Sequence, residues 1–100
     1  MPEQEIITID RELEYLIPEY LAGKRDDVET IRRALQLGDI ESIRTLGHNM
    51  KGTGGGYGFE AITVIGGRLE EAAKCGDAGA IERHAGELAD YLGRVEIRYI

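Results

Sequence analysis

The chain of 100 residues contains one cysteine, two prolines and no tryptophan. A single cysteine, Cys75, cannot form a disulfide within the chain, so the fold must be stable without one, as is usual in a reducing cytosol. No apolar run approaches the roughly 18 residues of a membrane-spanning helix, and the N-terminus lacks the basic and apolar regions of a signal peptide. These absences predict a cytoplasmic protein with no inserted segment.

Basic side chains are also few, with 12 Lys and Arg against 19 Asp and Glu, a net charge of −7 and a pI of about 4.8. Such a surface repels a phosphate backbone and an anionic membrane, which argues against nucleic-acid and membrane partners. The 42% hydrophobic content suffices for a modest core without metal or disulfide support. We therefore expect one acidic domain over residues 1–100.

Apolar residues recur at helical spacing along almost the whole chain, and no segment shows enough strand-like alternation to be assigned as a strand. A short first amphipathic segment contains Leu13, Leu16 and Ile17, and Pro18 both ends it and begins the next helix. The four long helices are predicted over residues 18–37, 40–55, 59–74 and 77–99. The sequence thus predicts an all-α, up-and-down antiparallel four-helix bundle with a short additional N-terminal helix.

Glycine and aspartate mark the ends of these helices. In Gly38-Asp39 and again in Gly76-Asp77, the glycine suits the residue after a helix, and the aspartate can accept hydrogen bonds from the first N–H groups of the next helix. Gly58 closes a glycine-rich segment after the second long helix and suits a left-handed turn.

One helix carries the candidate functional residue, His48. Its apolar stripe includes Ile43, Leu46 and Met50, and His48 lies on the opposite, solvent-facing side. The imidazole is flanked by cations, Arg44 and Lys51, on one side and by glycines, Gly52 and Gly55, on the other. Each glycine within a helix costs about 1 kcal/mol relative to alanine, so their placement favours close approach by a partner. The alternative is an ordinary exposed histidine beside a glycine-rich helix end.

Other titratable residues fit no separate chemistry. His84 lies close to the apolar stripe of its helix and is expected at the edge of the core. Its role is expected to be structural, because Glu87 stands three residues on, where His48 has Lys51, and would repel an anion carried by His84. Glu70 and Glu71 diverge on a helix and are interpreted as a solvated face. No His or Cys pair has metal-ligand spacing, so no metal site is predicted. The candidate nucleophile, His48, is exposed on a convex helix, and the sequence implies no pocket around it. This argues against an independent enzyme.

The pattern His48-x-x-Lys51-Gly52-x-x-x-x-x-Gly58 resembles the signature of histidine-containing phosphotransfer (HPt) domains, the relay modules of multistep two-component signalling. Gly38-Asp39, Leu69-Glu70 and Ala72-Ala73 fit the same family, so the resemblance covers residues from about 10 to 98. It implies that His48 attacks an aspartyl phosphate on a response-regulator receiver domain, through Nε2, and later passes the phosphoryl group to a second receiver.

The resemblance also implies roles for the neighbours of His48. Lys51 neutralises phosphoryl charge, Gly52 leaves room for the group and the partner's loops, Arg44 adds long-range attraction, and Gly55 belongs to the docking face. The expected partners are receiver domains, including that of a hybrid sensor kinase. Mg²⁺ would belong to the receiver, and this chain would be a monomeric carrier without a cofactor. A helical scaffold, or a bundle that binds receivers without accepting phosphate, remains the alternative.

Overall fold

The computed structural model describes residues 5–100 and contains four long helices. They are α1 (Ile17–Leu37), α2 (Ile40–Thr53), α3 (Glu60–Lys74) and α4 (Ala78–Arg94). The predicted all-α four-helix bundle is confirmed. Within residues 5–100, no helix combines the length and the apolar character that crossing a membrane requires.

Glycine and aspartate delimit these helices as the sequence predicts. Gly38 follows α1 with φ +73°, and the Asp39 carboxylate accepts a hydrogen bond from the Ser42 N–H at the start of α2. Gly76 has φ +66°, and Asp77 accepts from the Ala80 N–H at the start of α4. These turns are short because a left-handed glycine reverses the chain and the next residue caps the following helix at once.

The core lies along the bundle axis and takes its side chains from all four helices. On α3 and α4, apolar side chains at helical spacing are buried: Ile62, Ile65, Leu69, Ala72, Ala73, Ile81, Ala85, Leu88 and Leu92. Near the end of α2, the Tyr20 ring stacks on Tyr57 with a centroid distance of 4.2 Å and on Phe59 at 5.9 Å. These aromatic contacts attach the connection between α2 and α3 to α1.

The predicted short N-terminal helix is a single 3₁₀ turn, Arg11–Leu13, capped by Asp10, which accepts from the Glu12 N–H. Pro18 does not end a separate helix. It occupies the first turn of α1, which begins at Ile17, because N–H groups there have no partner within the helix and proline loses nothing by lacking one.

The structure contains two strands, whereas the sequence predicted none. β1 (Glu5–Ile9) and β2 (Val95–Tyr99) form a parallel pair in which Ile7 aligns with Ile97. The last helix therefore ends at Arg94 and does not continue to 99. Val95 and Tyr99 are spaced i, i+4, which suits a helix, but with Ile97 they also alternate with charged residues, which suits a strand. The partner strand comes from the opposite end of the chain and decides between the two.

Candidate functional site

Helices α2 and α3 approach each other through glycines. A Cβ atom on Gly47 would lie 2.6 Å from the Glu70 backbone nitrogen and 2.8 Å from the Gly66 carbonyl oxygen. A Cβ on Gly66 would lie 2.6 Å from the Lys51 backbone nitrogen, and one on Gly54 would lie 2.6 Å from that of Thr63. These distances are too short for any larger residue without movement of a helix. The two backbones are therefore in direct contact beneath the face that carries His48.

This close approach places a carboxylate from α3 next to the imidazole on α2. His48 Nδ1 lies 2.9 Å from Glu70 Oε2, and Lys51 Nζ lies 2.8 Å from Glu70 Oε1. Lys74 Nζ, one turn further along α3, is 4.0 Å from Glu70 Oε2. One carboxylate thus joins the histidine and two lysines from two helices.

Exposure differs sharply within this cluster. The Glu70 side chain is only 7% exposed, whereas the His48 side chain is 62% exposed and that of Lys51 is 49% exposed. The hydrogen bond from Lys51 lowers the pKa of Glu70 and outweighs burial, which acts in the opposite direction; the bond to His48 lowers it further. Glu70 is therefore a carboxylate at neutral pH, supporting an imidazole that is open to solvent.

The interpretation of Glu70 as a solvated side chain was wrong. Glu71 is exposed, but Glu70 is buried and bonded to two residues of α2. Helix periodicity placed the two glutamates on different sides of α3 but could not show that α2 lies against one of them. A signal was present in the sequence, because Gly47, Gly54 and Gly66 mark a backbone contact at which an opposing side chain can reach His48.

The other predicted site residues are placed as follows. A Cβ on Gly52 would meet no atom within 4 Å, so this position is open space. Gly55 lies beyond the end of α2, donates its N–H to Thr63 Oγ1 at 2.7 Å, and has the Glu60 carboxylate above it. The bare backbone next to His48 is therefore that of Gly52.

Arg44 and Gly58 lie further from the imidazole contacts. The Arg44 guanidinium is bonded to Glu41 on its own helix, which offsets its charge. Gly58 has φ +98° and donates its N–H to the Gly55 carbonyl, the left-handed conformation expected at this turn. It sets the direction in which the chain enters α3.

The second histidine occupies a different environment. His84 is 15% exposed, and its Nδ1 lies 2.9 Å from Glu87 Oε1, three residues further along α4. No group of three or more His, Cys, Asp or Glu within residues 5–100 is arranged to hold a metal ion.

The geometry determines which nitrogen of His48 is available. An ionised carboxylate can only accept hydrogen bonds, so Nδ1 carries the proton that it donates to Glu70. In the neutral ring, Nε2 then keeps its lone pair and faces solvent. The cluster thus presents one nucleophilic nitrogen, a carboxylate that can stabilise positive charge on the ring, and a nearby ammonium group for an incoming anion.

Comparison with known proteins adds a family to this geometry. A model of the Hpt domain matches residues 16–97, which include all four helices, the His48 cluster and most of β2. No curated protein and no solved structure matches the chain. Because the family match covers most of the chain and contains the whole site, this chain belongs to the Hpt domain family.

Proposed function

We propose that this chain accepts a phosphoryl group on His48 Nε2 from the aspartyl phosphate of one receiver domain and transfers it to an aspartate of another. Hpt domains act in phosphorelays as histidine phosphotransfer carriers rather than as independent enzymes, and they interact with receiver domains. The observation that carries the assignment to His48 is its exposed ring, with Nδ1 bonded to the buried carboxylate of Glu70.

In the proposed step, the Nε2 lone pair attacks phosphorus while the bond from phosphorus to the receiver's aspartyl oxygen breaks. The aspartate leaves with the bonding electrons, and no proton has to move because Nδ1 already carries one. The ring then bears a positive charge between the phosphoryl group and Glu70, whose carboxylate stabilises it. The same steps in reverse, on a second receiver, complete the relay.

Lys51 has two partners in this proposal. Before transfer its ammonium group binds Glu70 at 2.8 Å, and its half-exposed side chain is flexible enough to turn toward a phosphoryl group on the neighbouring ring. Phosphoryl transfer depends mainly on positioning and charge neutralisation, which a lysine at this place supplies. We propose that Mg²⁺ is bound by the receiver, that Gly52 provides space for its loops, and that the exchange takes place in the cytoplasm.

Phosphorylation with matched variants tests this function. Incubation with a phosphorylated receiver and Mg²⁺ should label the wild type and His84→Gln with acid-labile, alkali-stable phosphate, and should leave His48→Gln unlabelled. His48→Gln should melt close to wild type, because an exposed side chain contributes little to packing. Label retained in His48→Gln, or lost in His84→Gln, would contradict the assignment. Receiver binding without any label would instead favour a receiver-binding scaffold.

A further inference from the structure

The two-stranded sheet has an open edge along β2. β1 and β2 pair with each other, and no other element within residues 5–100 runs alongside either strand. An open edge presents backbone N–H and C=O groups that can pair with a further strand. The sheet is therefore a surface on which strand addition is possible, and the sequence of β2 shows which strand fits.

Hydrogen bonds at the end of the sheet show which backbone groups face β1. The Ile100 N–H donates to the Ile9 carbonyl at 3.0 Å, and the Arg11 N–H donates to the Ile100 carbonyl at 2.9 Å. Along a strand, the N–H and C=O of one residue point to one side and those of the next residue to the other. Even-numbered residues of β2 therefore bond to β1, and odd-numbered residues point to the open edge.

The groups on the open edge are the N–H and C=O of Ile97 and Tyr99 and the C=O of Val95. The Val95 N–H is already used, because it donates to the Tyr91 carbonyl at the end of α4. Within residues 5–100, the structure gives Ile97 and Tyr99 no backbone partner on this side. The side chains of Val95, Ile97 and Tyr99 are half-buried and pack against the core, and this packing fixes the position of the strand.

The charges of β2 are arranged symmetrically about Ile97. Glu96 and Arg98 flank it on the outer face of the sheet, with side chains 44% and 65% exposed, and within one chain Arg98 Nη2 lies 3.6 Å from Glu96 Oε2. If a second β2 is laid antiparallel with Ile97 opposite its own copy, Glu96 of each copy faces Arg98 of the other. We propose that two copies of this chain associate in this way, forming one four-stranded sheet in the order β1-β2-β2-β1.

The same register pairs all of the open backbone groups except the Tyr99 C=O, because the Val95 N–H that would face it donates to the Tyr91 carbonyl. Ile97 opposite Ile97 becomes a hydrogen-bonded pair that exchanges both N–H···O=C bonds, and each Tyr99 N–H meets the Val95 carbonyl of the other copy. Glu96 and Arg98 then fall at the non-hydrogen-bonded positions, where opposing side chains are closest. Opposite charges at such positions stabilise the pairing. Charge and hydrogen-bond pattern therefore agree on a single register.

The edge strand β1 lacks this complementarity. Antiparallel self-pairing about Ile7 would set Ile6 opposite Thr8 and Glu5 opposite Ile9, with no ion pair. Charges of one sign on an edge repel a second copy and prevent association. Those on β2 have opposite signs at equal distances from Ile97 and therefore attract a second copy. The proposed dimer departs from the monomer predicted from sequence and does not depend on phosphotransfer.

Charge exchange across the proposed interface provides the first test, read by sedimentation velocity and light scattering. At high concentration the wild type should approach twice the 11.0 kDa mass of one chain. Glu96→Arg alone and Arg98→Glu alone set like charges opposite each other and should each weaken association at least about tenfold. Mixing the two variants restores opposite charges at both positions, so the mixture should form heterodimers at concentrations at which each variant alone is monomeric.

A backbone substitution provides the second test. Ile97→Pro removes an N–H that faces the open edge, so it should abolish association while the fold persists, as a proline on an outer edge allows. The matched control Glu96→Pro removes an N–H that bonds to β1 and should lower the melting temperature. A wild-type chain that stays at 11.0 kDa up to about 1 mM would overturn the proposal. So would unweakened dimers of Glu96→Arg, or a variant mixture that fails to associate.

Discussion

The two histidines of this chain make the same hydrogen bond in different surroundings. Each Nδ1 lies 2.9 Å from a glutamate oxygen. His84 bonds to Glu87 on its own helix and is 15% exposed, whereas His48 bonds to Glu70 on a neighbouring helix and is 62% exposed. The bond that orients the ring is therefore common to both, and what distinguishes them is the origin of the carboxylate and the access to Nε2.

That difference explains why only one of them suits an incoming anion. At His48 the Glu70 carboxylate is buried beneath the ring, and Lys51 binds its other oxygen. The groups exposed to solvent at this site are therefore the imidazole ring and the lysine. At His84 the carboxylate belongs to the same helix surface, is 38% exposed, and also binds Arg68 at 3.5 Å. Supplying the partner from a second helix leaves the histidine's own surface free.

The largest effect is expected from removing the carboxylate at each histidine. Glu70→Ala should slow phosphoryl transfer through His48 by about 10-fold to 150-fold, the equivalent of about 1.5–3 kcal/mol for hydrogen bonds to a charged group. Glu87→Ala should leave the transfer rate unchanged. Single-turnover transfer from a phosphorylated receiver measures both. Equal rates for wild type and Glu70→Ala would remove Glu70 from the mechanism.

The conservative change Glu70→Gln adds a pH profile to that test. Lys51 holds the pKa of Glu70 below its ordinary value of 4.5. Stability gained from a lowered carboxyl pKa is present above the unfolded-state value and is lost as the pH falls through the folded-state value. The melting temperature of the wild type should therefore exceed that of Glu70→Gln at neutral pH, and the difference should shrink as the pH falls below 4.5 and through the lowered pKa of Glu70.

The next effect concerns the glycine contact that brings Glu70 to His48. Gly47→Ala forces a methyl group against the α3 backbone and should lower the free energy of unfolding by about 1–3 kcal/mol, and transfer should slow because Glu70 moves away. Gly86, two residues after His84, has open space around it, and a Cβ added there would meet no atom within 4 Å. Gly86→Ala should therefore stabilise α4 by up to about 1 kcal/mol. Thermal melts that rank the two variants the other way would contradict this contact.

A smaller effect is expected from the lysines around Glu70. Lys51→Ala should slow transfer in both directions by about tenfold, or about 1.4 kcal/mol, near the lower end for charge-assisted bonds because the side chain is half exposed. Lys74 is further from the carboxylate, at 4.0 Å, and Lys74→Ala serves as the matched control with a weaker effect. Forward and reverse transfer rates measure both. An unchanged rate for Lys51→Ala would leave this lysine as a structural partner of Glu70.

The smallest effect on the fold is expected at Gly52. Its open surroundings allow Gly52→Ala to stabilise α2 by up to about 1 kcal/mol, and Gly52→Gln should also be tolerated. Both place atoms where the phosphoryl group and a receiver must come close, so transfer should fall, and more for glutamine than for alanine. Melting temperatures set beside transfer rates separate docking from folding. Destabilised variants with unimpaired transfer would show that the glycine serves packing.

Local sequence predicted the parts of this molecule that depend on neighbours along the chain. The solvent-facing position of His48 follows from apolar residues two and five positions away, Leu46, Met50 and Ile43, which lie on the opposite side of the helix. Helix ends follow from Gly38 and Asp39. Glu70 could not be assigned in the same way, because its burial depends on α2 lying against α3. The glycines that permit this contact were visible, but which helix they face is a property of the packed bundle.

The sequence by itself determined the four amphipathic helices, their caps and the face that carries His48, since each depends on spacing within about one or two helical turns. Tertiary structure alone decided that Glu70 orients the imidazole and holds Lys51. It also decided that Val95–Tyr99 is a strand, because Glu5–Ile9 pairs with it from the far end of the chain. Short segments with two compatible periodicities take the structure that their partner in space stabilises.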